Sequence, residues 1–307
     1  MGIKLQKKPK LKNPDLIVGW PGIGNIGIIA INTLRGILKA EEFGEIEPWD
    51  FFYPRKISFK AGVLEDLEFP GNRFYFKKTP NKDLIFFIGE EQPADIGEKY
   101  AKGGEAYKMA NLVLDVGQKF GCKRIFTSGA AVASIHHTMK PKVWAVPNKK
   151  ELIDEVKMYE NIVLMSEVEG RSGQGSISGL NGLLLGVAKK RGLEGICIMG
   201  EIPIYVYQFP ISYPKASKSV LEVLTKILKI DINLSQLDSF IQKMEREIDE
   251  IYMQLPTEII AQLDKLKDVL KPEKRKKGMD DKQFMEKIDK LFEDIEQSFK
   301  EGGGKTG

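Results

Sequence analysis

Six short runs constrain this chain most: "DLIVGW" (15–20), "DLIFFIGE" (83–90), "RIFTSGA" (124–130), "KVWAVPN" (142–148), "NIVLMSE" (161–167) and "GICIMGE" (195–201). Several are apolar throughout, with no polar alternation. Such a strand has no face for water, so helices must cover both sides of its sheet. Amphipathic stretches follow many of these runs, over residues 26–39, 97–120, 177–190 and 215–229. Strands alternating with helices predict an α/β layered fold with a largely parallel sheet. Weaker strand candidates are "DFFYPRKI" and "RFYFKKT".

Composition narrows the classes. At about 150 residues per domain, 307 residues make two domains, or one large domain with an appendage. A 42% hydrophobic, 29% charged chain can bury a sizeable core. The net charge is +4, from 47 basic and 43 acidic residues, which does not suit a nucleic-acid binder. Part of the excess sits in "KLQKKPKLK", which reads as a solvated arm. Cys122 and Cys197 lie in apolar surroundings and read as small buried hydrophobes. No run reaches the roughly 18 apolar residues that a membrane span needs, and no signal peptide is evident. The chain is therefore expected to be cytoplasmic, without membrane or nucleic-acid partners.

The texture changes after Ile230. Leu237, Ile241, Met244, Ile248, Ile251 and Leu255 recur at steps of four and three, with charges between them. That is a heptad-type seam. Pro256 interrupts it, and Ile259, Leu263, Leu266 and Leu270 resume it. A further helix is expected to carry Phe284, Ile288, Leu291, Ile295 and Phe299. The expected division is an α/β body over 1–232 and a helical, coiled-coil-like appendage over 233–307. The seams must pack on one another, on the body or on another chain. The last case makes Leu237, Ile241, Met244, Ile248, Ile251, Phe284, Ile288 and Leu291 partner-binding candidates.

The turn "WPGIGNIG" contains Gly22, Gly24 and Gly27 in the order of a dinucleotide fingerprint. Pro21 stiffens it, and no clear second strand in "EFGEIEPWDFF" ends in a ribose-binding acid. A strand–turn–helix junction is one reading, and an anion or ligand site at the helix start is the other. A second glycine-rich segment, "GSISGLNGLLLG", aligns Gly179, Gly182 and Gly186 on one helix face, for tight packing or a subunit contact. Acids stand at predicted strand ends: Glu90, Glu91, Glu167, Glu169 and Glu201. With Trp20, Gly22, Gly24 and Asn25, the residues Glu90, Glu167 and Glu201 form a ligand-site candidate at the strand edge. A carboxylate-based or metal-assisted hydrolase could be drawn from it, or the acids merely solvate loop starts. Other patterns fail. Adjacent His136 and His137 cannot share one metal at usual spacing, and no Gly-x-Ser-x-Gly elbow occurs. "GGGKTG" has Phe299 where a phosphate loop's first glycine belongs. No cofactor and no metal are expected.

Several motifs recur in order: "IVGWPGIGNIG" at 17–27, "SGA" as a turn at 128–130, "GSISGLNGLLLG" at 175–186, and "GEIPIYV" with "YPKASKSVLEVL" between 200 and 224. Together they resemble the proteasome assembly chaperone family, over about residues 13–238. The resemblance implies a three-layer α/β/α sandwich of the phosphorylase/hydrolase-like type with a mixed, mostly parallel sheet. It also implies homo-oligomers and, for archaeal relatives, a role in proteasome assembly or docking. Related sequences have been labelled ligases, which nothing in these residues supports. Family members that dock on the proteasome core can end in a hydrophobic residue, a tyrosine and a final residue. This chain ends "EGGGKTG". The functional expectation is a non-enzymatic assembly chaperone that binds proteasome subunits or a related complex. The alternative is a ligand-binding protein or hydrolase/ligase-type enzyme working at the strand-edge crevice.

Overall fold

A computed structural model describes residues 2–93, 103–133, 135–167 and 175–255, with Thr257, Ile260, Ala261, Leu263 and Asp264 beyond. The strands are β1 (Ile3–Leu5), β2 (Asp15–Gly19), β3 (Glu41–Ile46), β4 (Lys56–Lys60), β5 (Val63–Glu68), β6 (Asn72–Lys77), β7 (Leu84–Gly89), β8 (Arg124–Ala133), β9 (Val143–Pro147), β10 (Ile162–Leu164) and β11 (Glu194–Pro203). The α-helices are α1 (Ile26–Ile37), α2 (Gly103–Lys119), α3 (Ile153–Lys157), α4 (Gly179–Lys190), α5 (Pro214–Leu228) and α6 (Asp238–Met253).

A nine-stranded sheet runs in the order β1-β3-β6-β7-β2-β8-β11-β9-β10. Its centre, β7-β2-β8-β11, is parallel. Antiparallel pairs flank that centre on both sides, β6 on β7 and β9 on β11. The apolar runs explain themselves by alternation. In β2, Leu16 and Val18 join one core with α2 and α4, while Ile17 joins the other with α1 and α5. In β7, Ile85 and Phe87 face the first core and Leu84 and Phe86 the second. Alternate side chains enter opposite layers, so neither face of these strands is left to water. The result is the α/β/α sandwich.

Three departures from the sequence reading have local causes. A strand, β3, lies within "EEFGEIEPWDFF", where no clear second strand was expected. It pairs antiparallel to β1 and β6, it is bulged near Gly44, and only Phe43, Gly44 and Ile46 of it are buried. Its two exposed glutamates hide the pattern. "NIVLMSE" yields only Ile162–Leu164, because β10 is a sheet edge with one neighbour, and Met165–Glu167 then form a 3-10 turn. "SGA" is not a turn: residues 128–130 lie inside β8.

Beyond residue 232 the chain returns to the body. Leu237, Ile248, Leu255 and Leu263 are buried in the same core as α1 and α5, and Met244 is buried as well. Ile241 packs at its margin, and Ile251 is half-buried. Phe284, Ile288 and Leu291 lie outside the described residues, as does most of the second heptad stretch. Among the described residues, no helix is long and apolar enough to cross a membrane.

Candidate functional site

The glycine turn lies where β2 hands over to α1. Asn25 N–H bonds the Gly22 carbonyl, and Gly24 turns at φ 58°, a left-handed value that suits glycine. Its carbonyl accepts from Tyr213 N at 2.8 Å. Asn25, also left-handed at φ 50°, starts α1 without capping it, and its amide reaches Ser212 Oγ at 3.4 Å. Gly27 lies so close to the Ser128 carbonyl that a Cβ there would overlap the β8 backbone. On the opposite face of β8, Asn181 Nδ2 donates to that same carbonyl at 2.7 Å. Gln92 joins the two sides. Its Nε2 donates to the Pro21 carbonyl at 2.7 Å, and its Oε1 accepts from Leu180 N at 3.0 Å. The two glycine-rich segments therefore clasp one point of the central strand from both layers. Sequence reading named both segments but missed Gln92 and Asn181. Asn181 stands inside "GSISGLNGLLLG" but was passed over for the glycines around it, and Gln92 stands in no motif; only the fold brings them together.

Trp20 is 1% exposed and packs on Phe87, with ring centroids 5.2 Å apart. Its indole lies against Gly89, where a Cβ would collide with it. The Trp20 Nε1, Ser128 Oγ and Asn181 Oδ1 atoms are buried and meet no acceptor or donor among the described residues. Gly22 is exposed with open space around it. Of the glycines on α4, Gly182 backs onto the Ile177 carbonyl and Gly186 faces open space, so neither brings the helix onto the sheet.

The candidate carboxylates do not converge. Glu90 pairs with Arg55 at 2.9 Å and accepts from Gly71 N at 3.0 Å. Glu201 is buried, accepting from Lys142 N at 2.7 Å and Trp144 Nε1 at 2.8 Å. It ties β9 to β11 and presents no open oxygen to a crevice. Glu167 pairs with Lys157 at 2.5 Å beyond β10. Five strand steps separate β10 from β7, about 24 Å at ~4.8 Å per step. Glu169 lies outside the described residues. No group of three His, Cys, Asp or Glu side chains could hold a metal ion among the described residues. Near the N-terminal ends of the central strands, Lys82, Lys123, Arg124, Lys149 and Arg191 line an open hollow of about 460 Å³. Its cations are largely taken: Lys82 by Asp15, Arg124 by Glu155 and Glu194, Arg191 by Asp115.

The two adjacent histidines, set aside as metal ligands, dock α6. His137 Nε2 lies 2.9 Å from Asp249 Oδ1, and its Nδ1 lies 2.7 Å from the Tyr205 hydroxyl. Burial pushes the Tyr205 hydroxyl far above the usual phenol range, so it keeps a proton to donate to Nδ1. Its oxygen accepts from His137 N at 2.8 Å. That network leaves Nε2–H to donate to Asp249. Tyr252 meets both imidazoles edge to face, with centroids 5.2 and 5.0 Å apart. Lys215 adds a pair with Glu245 at 2.9 Å and a bond to the His137 carbonyl at 2.8 Å.

The sequence profile of the PAC2 family matches residues 16–252. The chain belongs to the PAC2 family. The match spans the whole clasp and nearly all of α6. Among solved PAC2-like structures, Pyrococcus furiosus PbaB, an archaeal proteasome activator, is 30% identical, with a TM-score of 0.67. The likeness covers 81% of this chain and 97% of PbaB. Pyrococcus furiosus PbaA, an archaeal homolog of proteasome-assembly chaperone, shares the fold at 21% identity and a TM-score of 0.59, over 86% and 99% of the two chains. The uncharacterized protein MJ1210 of Methanocaldococcus jannaschii is 30% identical over 250 residues, 81% of this PAC2 chain and 86% of its own.

Proposed function

We propose that this PAC2 protein is a non-enzymatic, assembly-chaperone-like protein that binds proteasome subunits or a related complex. The observation that carries the reading is the likeness to an archaeal proteasome activator at 30% identity, over nearly all of that protein. The site geometry supports it. Glu90, Glu167 and Glu201 spend their oxygens on Arg55, Lys157 and Lys142 with Trp144, which holds the fold together rather than facing a substrate.

Contact with the partner falls to the oligomeric body surface and to the chain beyond Asp264, which holds Phe284, Ile288 and Leu291. In α6, Leu237, Met244 and Ile248 are used within the body, while Ile241 and Ile251 keep part of their surface open. The test is co-purification with archaeal proteasome core subunits, for the full chain and for a chain cut after Asp264. Binding by the full chain supports the reading, and loss on truncation assigns the contact to the chain beyond Asp264. Absence of a complex at micromolar concentrations, with a melting temperature raised by a nucleotide, phosphate or divalent metal, favours the ligand-binding alternative.

A further inference from the structure

Strand direction gathers cations at one end of the sheet. β2, β7, β8 and β11 run parallel, so their starts lie together. Lys82 precedes β7, Lys123 precedes β8 and Arg191 precedes β11, while Lys149 follows the antiparallel β9. With Arg124, these side chains line the open hollow of about 460 Å³. Lys149, Lys150 and Lys189 line a second hollow of about 350 Å³. Lys149 belongs to both, so the two form one trough. Glu151 and Glu194 are the carboxylates on its walls.

The fold itself uses most of these cations. Lys82 holds Asp15, Arg124 holds Glu155 and Glu194, and Arg191 holds Asp115. Lys189 stands in the last turn of α4, where a cation offsets the helix dipole. Lys123, Lys149 and Lys150 do neither. They lie in the connections from α2 to β8 and from β9 to α3, and none of them forms an ion pair among the described residues. Lys123 and Lys150 are exposed. Lys149 Nζ donates to the Gly192 carbonyl at 3.0 Å. That bond fixes an ammonium where the hollows meet, and a carbonyl leaves its full charge in place.

The open groups select the kind of anion. Arginine forks grip phosphate in bidentate fashion, and both arginines of the trough are already closed on carboxylates. No aromatic side chain lines either hollow among the described residues, so nucleic-acid bases find no stacking platform. What is left is three ammonium groups on long stems, spread over two connected hollows. Such an array suits several carboxylates carried on one extended segment better than one compact ion. We infer that this trough is a docking surface for an acidic segment of a protein partner, a run of aspartate and glutamate lying across Lys123, Lys149 and Lys150. The inference does not rest on the proteasome reading, because it names the chemistry of the bound segment whichever protein carries it.

Fluorescence anisotropy of the full chain with a labelled oligoglutamate peptide tests it. The wild type is expected to bind at low salt and to release the peptide as salt screens the contact. In Lys123→Glu/Lys150→Glu, binding is expected to weaken about tenfold or more. The melting temperature should not move, since both side chains face water without an ion-pair partner. Lys123→Gln/Lys150→Gln is expected to fall between that variant and the wild type. Lys56→Glu/Lys60→Glu makes the same change in net charge on β4, whose base lies by Glu90 beyond the far end of β7; it should bind as the wild type does. No binding by the wild type at low salt overturns the inference. So does a trough variant that binds like the wild type, or a β4 variant that weakens as much as the trough variant. A single-stranded uridine oligonucleotide of equal charge that binds more tightly than the peptide, and is lost in the trough variant, also overturns it by assigning the trough to nucleic acid.

Discussion

Two antiparallel pairs lie next to each other in the chain and meet opposite fates. β6–β7 and β4–β5 both carry phenylalanine, isoleucine and leucine. In β7, Leu84 to Phe87 are buried, because helices of the same chain cover both faces. In β4–β5 the same residue types stay open to water. Apolar content therefore does not separate a core strand from an exposed one. What separates them is charge: β7 has none, whereas β4 and β5 carry opposite sets on opposite edges. One pair is covered by the chain's own helices, and the other stands open to water.

The comparison breaks first at the clasp. A Gly27→Val change forces a side chain into the Ser128 carbonyl, where backbone cannot yield. A loss of about 3 kcal/mol or more is expected in denaturant unfolding. A fully stable variant would mean that α1 does not rest on β8. Next comes Ile248→Ala, in the seam buried against the body, with an expected loss of about 2–5 kcal/mol. A near-neutral result would free α6 from the body and return the heptad seam to a partner.

His137→Ala sharpens the account of that dock. It removes the partner of Asp249 and of the Tyr205 hydroxyl, at an expected cost of about 1–3 kcal/mol. Hydrogen exchange localised to α6 checks whether the helix loosens before the sheet. The smallest effect belongs to the cysteines. Burial pushes the Cys122 thiol up to about 12 and the Cys197 thiol up to about 11. Both stay protonated at pH 8, and the thiolate is the reactive form. Folded protein should therefore resist thiol reagents, and unfolded protein should react at both positions.

Core strands were legible because burial on two faces leaves a continuous apolar run, as in "DLIFFIGE". Strand β3 was not, since an antiparallel flank with Glu41 and Glu42 exposed lacks that run. The glycine turn was readable as a tight junction, because Gly24 and Gly27 sit where sterics demand no side chain. What grips it was not. Gln92 and Asn181 come from distant segments, and single polar residues carry no periodic signal. The carboxylates misled for a related reason: sequence places acids at strand ends, but only the strand order shows how far apart those ends are. The histidine pair was set aside on metal spacing alone, and its role needed Tyr205 and Asp249, 68 and 112 residues away.

The contrast between covered and uncovered strands is tested most directly by amide exchange along residues 56–68, followed as a function of protein concentration. Outward amides of β4 and β5 have no partner strand among the described residues. They should exchange fast at every concentration, while the β7 amides stay protected throughout. Outward amides of the hairpin that exchange as slowly as those of β7 would contradict the account.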